Sequence, residues 1–277
     1  MLTVEGYLAP DLIPAAEFLR REDNGGGYSA RSQRVPRPEA IADVLRILHR
    51  LDGTADYRAL IALMKEGLSD FERTRPFILA SVLETSVQLG TDAELTGSLV
   101  ADLLAARQSY GDHLLWPEKA EESLVAPAPS IAHTARAVWA LAQVRAAWSR
   151  SGDPGDGAPD VGAALADAVA WLAEQREDLG NVSEIIDRQL AIGVEPVYVR
   201  HFTAALLVKA LAAGGLPASH PTFATAIARM WRAYSPEAGL WRWRNGELPV
   251  WMTMDAVDAL RLASLSTKLP SEVTDGL

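Results

Sequence analysis

Asp255 and Asp258 stand three residues apart in WMTMDAVDALRLA (251–263), so on a helix both carboxylates share one face. Paired carboxylates in such a position can hold magnesium ions or act as acids. His133, in SIAHTARAVWAL (130–141), and His201, in VRHFTAALLVKAL (199–211), each stand near the start of an apolar segment and can open onto one cavity. With His113 in a long loop and with Asp255, these imidazoles outline a metal set that needs no thiolate. WPEKAEES adds Glu118, Glu121 and Glu122, acids of the kind that sugar-cleaving enzymes pair with stacking aromatics. Trp116, Tyr198, Trp241, Trp243 and Trp251 are the aromatic residues that would wall a ligand site. The plainer reading stands beside each: solvated or capping acids, helix-start histidines satisfied by backbone or water, and tryptophans that seal helix ends.

The elements that must position these residues recur along the chain as an amphipathic helix, a Gly-and-aromatic loop and a second, more apolar helix. Five pairs are predicted: 12–22 with 37–51, 55–69 with 74–89, 93–108 with 130–149, 161–177 with 197–213, and 220–234 with 251–265. Pro76 suits a first helical turn and Gly90 a C-cap. Second helices such as FTAALLVKALAAGG are apolar nearly all round and belong inside, wrapped by the first helices. The expected fold is therefore all-α, an α/α toroid of about five helix pairs in inner and outer rings. It forms one domain over 1–270, with an exposed flexible loop at 149–160 and a frayed tail at 271–277. One segment departs from helical spacing. GLWRWRNGELPVW (239–251) alternates Trp and Arg and then presents Asn245-Gly246, which predicts a small hairpin.

Composition narrows the classes of function. With 277 residues, 49% of them hydrophobic, the chain can bury a large core. A net charge of −10 without a basic run argues against nucleic acid and anionic lipid. No apolar stretch is long enough for a membrane span, and the N-terminus lacks the basic start of a secretory signal, so the cytoplasm is expected. The absence of cysteine rules out disulfides, thiol catalysis and thiolate zinc sites. No nucleophile elbow, phosphate loop or dinucleotide fingerprint occurs.

The loops REDNGGGYS (21–29), ARQSYGDHLLWPE (106–118), EQREDLGNVSE (174–184) and SPEAGLWRW (235–243), with the inner-helix starts SIAHTARAVWAL (130–141), VRHFTAALLVKAL (199–211) and WMTMDAVDAL (251–260), resemble the repeat of the terpenoid cyclase and protein prenyltransferase superfamily. In squalene–hopene cyclase-like repeats a Gln-containing stretch leads to Gly-x-Trp. Gln175 lies near the expected place, and Tyr28 stands where Trp is usual. The resemblance implies the α/α toroid. It also implies an acidic Asp-x-Asp-Asp stretch before Thr-Ala in the proton-initiated cyclases, where this chain carries Ser130-Ile131-Ala132-His133 before Thr134-Ala135. The prenyltransferase zinc site would use an Asp, a Cys and a His, and the chain has no Cys. The expected role is therefore a non-catalytic binding, sensor or adaptor module, of the kind found in multi-gene bacterial systems, for a protein partner or a small apolar ligand, without a cofactor. The alternatives are an isoprenoid enzyme with atypical residues (His133, Asp255 and Asp258, with magnesium) and a carbohydrate-active α/α barrel.

Overall fold

The computed structural model describes residues 37–51, 53, 56–118, 129–151, 160–177, 179–190 and 193–266. Over these residues the protein is mostly helical. Its elements are α1 (Pro38–Leu51), α2 (Arg58–Glu66), α3 (Asp70–Arg73), α4 (Pro76–Leu89), α5 (Ala93–Ala105), β1 (Gln108–Tyr110), β2 (His113–Leu115), α6 (Ile131–Ser151) and α7 (Val161–Glu174). They continue with β3 (Val182–Leu190), β4 (Gly193–His201), α8 (Thr203–Ala213), α9 (Pro221–Arg232), β5 (Tyr234–Ser235), β6 (Leu240–Trp241) and α10 (Val250–Ser266). The expected helix at 12–22, the loop at 21–29 with Tyr28, Glu121 and Glu122, most of the 149–160 loop and the 271–277 tail lie outside the described residues. No helix among the described residues is long and apolar enough to cross a membrane.

The helices pack in two alternating sets. In one set α1 lies on α4, α4 on α6, α6 on α8 and α8 on α10. In the other, α2 packs on α1, α5 on α4, α7 on α6 and α9 on α8. Sequence explains the division. Every residue from Pro76 to Ser86 in α4 and from Thr203 to Leu211 in α8 is buried, whereas α2 buries only Met64. Helices apolar on all sides need neighbours on all sides. One large core runs through them, from Ile41 and Leu83 through Leu141 and Leu207 to Ala259. Pro76 occupies the first turn of α4, and Gly90 caps it in the left-handed conformation. At Gly214 an added Cβ would stand 2.6 Å from Val169 Cγ1, so the end of α8 approaches α7 too closely for any side chain.

Two units repeat a device that ties helix ends together. The Trp116 indole N–H donates to Leu103 O (2.7 Å) at the end of α5, and the Trp241 indole N–H donates to Met230 O (3.0 Å) at the end of α9. The backbone N–H of each tryptophan then donates to a threonine hydroxyl on the following helix, Thr134 Oγ1 (3.3 Å) or Thr253 Oγ1 (3.2 Å). The last carbonyls of a helix lack helical partners, and the indoles supply them. In the α7 unit the side chain of Gln175 does this work, donating to Trp171 O (3.0 Å).

Three segments depart from the sequence expectation. The segment at 182–201, where the helical pattern predicts a helix from 197, forms an antiparallel hairpin in which Val182 pairs with His201 and Leu190 with Gly193. Its many β-branched residues (Val182, Ile185, Ile186, Val194, Val197, Val199) favour strands, and Pro196 disfavours a helix interior. The loop after α5 holds the short β1–β2 hairpin. Near the C-terminus the strands are Tyr234–Ser235 and Leu240–Trp241, joined through Gly239 at φ +66°, so the hairpin lies upstream of Asn245-Gly246. The Asn-Gly pair instead closes a turn in which Trp243 N–H donates to Glu247 O (2.8 Å).

Candidate functional site

The first set of helices, together with β4, lines an open cavity of about 340 Å³. Its apolar wall comes from Ile47, Phe77, Phe202, Leu206, Trp251 and Met254, and its polar wall from ion pairs. Those charges sit on helix faces turned inward, where they must be paired to be tolerated. Glu84 on α4 is the hub. Its Oε2 lies 3.2 Å from both the Arg46 and the Arg136 guanidinium, and its Oε1 accepts from the Trp139 indole N–H (2.8 Å). Arg46 also pairs with Asp43, and Arg136 donates to Ser81 Oγ (3.0 Å). Burial pushes the Glu84 carboxyl up, but the charges of Arg46, Arg136 and Lys209 and the Trp139 N–H outweigh it and hold the carboxyl well below the usual carboxylate range. Arg46 is raised in turn, its burial outweighed by Glu84, Asp43, Asp255 and Asp258.

Asp255 and Asp258 do share the inward face of α10, as their spacing predicts, and each has its own cation. Lys209, fully buried on α8, donates from Nζ to Asp255 Oδ1 (2.6 Å) and lies 5.6 Å from the centre of the Trp139 ring. Arg50 on α1 makes a two-pronged contact with Asp258, at 2.7 and 2.6 Å. That pair joins the first and last helices of the set across 208 residues.

A second cluster adjoins the cavity. His133 Nε2 and His201 Nε2 both lie at Glu184 Oε1, 3.1 and 2.7 Å away, and the two imidazole rings are 4.7 Å apart. His133 opens α6, and its Nδ1 lies 2.7 Å from Ser130 Oγ. Glu184 and His201 meet because the hairpin register sets them on one face: Glu184 pairs with Val199, and His201 is two residues along the same strand. All three side chains are buried, and Phe77 stands edge-on to both rings. Burial pushes the Glu184 carboxyl up, but hydrogen bonds from His133 and His201 outweigh it and lower the carboxyl to about 2. Burial drives His201 down against the pull of Glu184.

The other candidate residues scatter. His113 stands apart from this cluster. Its Nδ1 is 2.7 Å from Asp167 Oδ1 on α7, and the same carboxylate accepts from the Leu114 N–H. Trp116, Trp241 and Trp243 are buried; the first two are the helix-end caps described above, and Trp243 lines a separate, open pocket with Phe202 and Arg242. Trp251 alone of the named tryptophans lines the cavity, 6.0 Å from Trp243. Tyr198 is on β4 opposite Ile185, and its side chain lies outside the described residues. Glu118 is exposed at the edge of the described chain. No chemical motif of the sequence singles out Glu84, Arg136, Lys209 or Glu184. A charged residue inside an otherwise apolar helix, as in FILASVLETS or LLVKAL, is the signal that finds the first three. Glu184 is found only through the pairing of its hairpin.

No known family matches the chain, and neither a curated protein nor a solved structure matches it.

Proposed function

We propose that the protein is an α/α toroid whose inner helices are α1, α4, α6, α8 and α10, and that it works as a non-catalytic binding module. Its ligand is a small, largely apolar molecule held in the central cavity. The observation that carries this reading is the pairing of the cavity's charges. Glu84, Asp255 and Asp258 each face a cation, and Arg46, Arg50 and Arg136 each face a carboxylate. Protonating an alkene needs a carboxyl held neutral, and Glu84 is held ionised. Holding magnesium against a diphosphate needs carboxylates free to ligate, whereas Asp255 and Asp258 are committed to Lys209 and Arg50. What remains to a ligand is the wall of Phe77, Phe202, Leu206, Trp251 and Met254, beside ion pairs that already satisfy one another. The volume falls in the range of small-molecule sites.

Thermal unfolding with farnesol, farnesyl diphosphate and magnesium separates the readings. A ligand that binds only the folded state at 100 times its Kd adds about 2.7 kcal/mol. The binding module predicts that farnesol raises the midpoint, that magnesium adds nothing, and that neither pyrophosphate nor hydrocarbon is released. Magnesium-dependent stabilisation by the diphosphate, with release of pyrophosphate, would establish the isoprenoid enzyme instead.

A further inference from the structure

We propose that His133, Glu184 and His201 form a binding site for one divalent transition-metal ion of the zinc class. The three ligand atoms, two imidazole nitrogens and one carboxylate oxygen, lie within 4.8 Å of one another. Two histidines and a glutamate are a known zinc ligand set, and imidazole favours zinc, copper, nickel or iron over magnesium and calcium.

Three further features suit a metal. Both imidazoles present the same nitrogen, Nε2, to the same oxygen, so the donor atoms converge on one point. The outer nitrogen of His133 lies 2.7 Å from Ser130 Oγ, a second contact of the kind that orients a metal-bound histidine. Phe77 packs edge-on against both rings and restricts their rotation. The site is separate from the ion pairs of Glu84 and from Asp255 and Asp258, and it uses none of them. Two ligands come from the β3–β4 hairpin and one from the start of α6, so a bound ion would clip the hairpin to the helices. His201 also lines the cavity, which puts the ion at the cavity's edge.

The test is metal titration of the full chain after dialysis against chelator. Elemental analysis is expected to find one zinc per chain, and cobalt(II) is expected to give the visible d–d absorption of a low-coordinate nitrogen–oxygen site. Excess magnesium should displace neither ion. Glu184→Gln, which keeps the side chain's shape, should weaken zinc binding at least about ten-fold, whereas His113→Ala should leave it unchanged. Because stoichiometry and the cobalt spectrum are read on the unaltered protein, misfolding of a variant does not affect them. Substoichiometric zinc without a cobalt band would overturn the site, as would equal zinc affinity in the unaltered protein and a folded Glu184→Gln variant.

Discussion

Glu84 and Glu184 are the same residue type, both buried among the helices, and both are held ionised, yet their surroundings differ in kind. Glu84 faces two guanidiniums that carry charge at every accessible pH, while Glu184 faces two imidazoles that can be neutral. A carboxylate locked between permanent cations is a structural strut, because removing it leaves two buried guanidiniums with only the partly exposed Asp43 as counter-charge. A carboxylate between imidazoles is adaptable, since the same three groups can share protons or a metal ion. Adjacent parts of one interior are thus built for rigidity and for exchange.

Substitution at the two sites should give unequal losses. Glu84→Gln leaves Arg46 and Arg136 with only Asp43 as counter-charge and is expected to cost about 3–5 kcal/mol in urea unfolding. A cost under 1 kcal/mol would remove the distinction. The linkage has a definite sign. The Glu84 carboxyl is lowered on folding, so the stability it contributes is fully present above its ordinary value near 4.5 and is lost as pH falls below that. Unfolding midpoints should therefore drop steeply below pH 4.5 in the unaltered protein and less steeply in Glu84→Gln. Glu184→Gln keeps an acceptor for the imidazoles and is expected to cost less, about 1–3 kcal/mol in the same urea assay.

Smaller effects are expected at the helix-end devices. Trp116→Phe and Trp241→Phe each remove one indole N–H from a buried carbonyl and should cost about 1 kcal/mol apiece by denaturant titration. Their similarity would support two equivalent units, whereas a loss confined to one would break the repeat. The smallest effect belongs to Asp258→Asn. Its partner Arg50 is 41% exposed, so solvent screening limits the loss to under about 1 kcal/mol. Raised salt should erase most of that difference.

Much of the fold was legible because helical periodicity and capping are local. Pro76, Gly90 and the apolar runs of α4 and α8 announce themselves in sequence. The β3–β4 hairpin was missed because its strand signal is split by Pro196 and runs directly into the α8 pattern. His133 and His201 were legible as a pair at helix starts, although His201 proves to end a strand. Glu184 was not, since only the register of a long hairpin brings it to them. The pairing of Asp255 with Lys209 was equally hidden, because the two residues are 46 apart on different helices. Sequence can mark a buried charge, but its partner is chosen by packing.

The proposed binding module requires the buried Glu84 carboxyl to stay ionised, and that requirement is the one most open to test. A pH titration of the Glu84 side-chain carboxyl carbon by ¹³C NMR reads its ionisation directly. Paired as it is with Arg46 and Arg136, the signal should stay at the carboxylate position from neutral pH through 4.5 until the protein unfolds. A midpoint at or above 4.5 in the folded protein would contradict the claim and return an acid to the cavity.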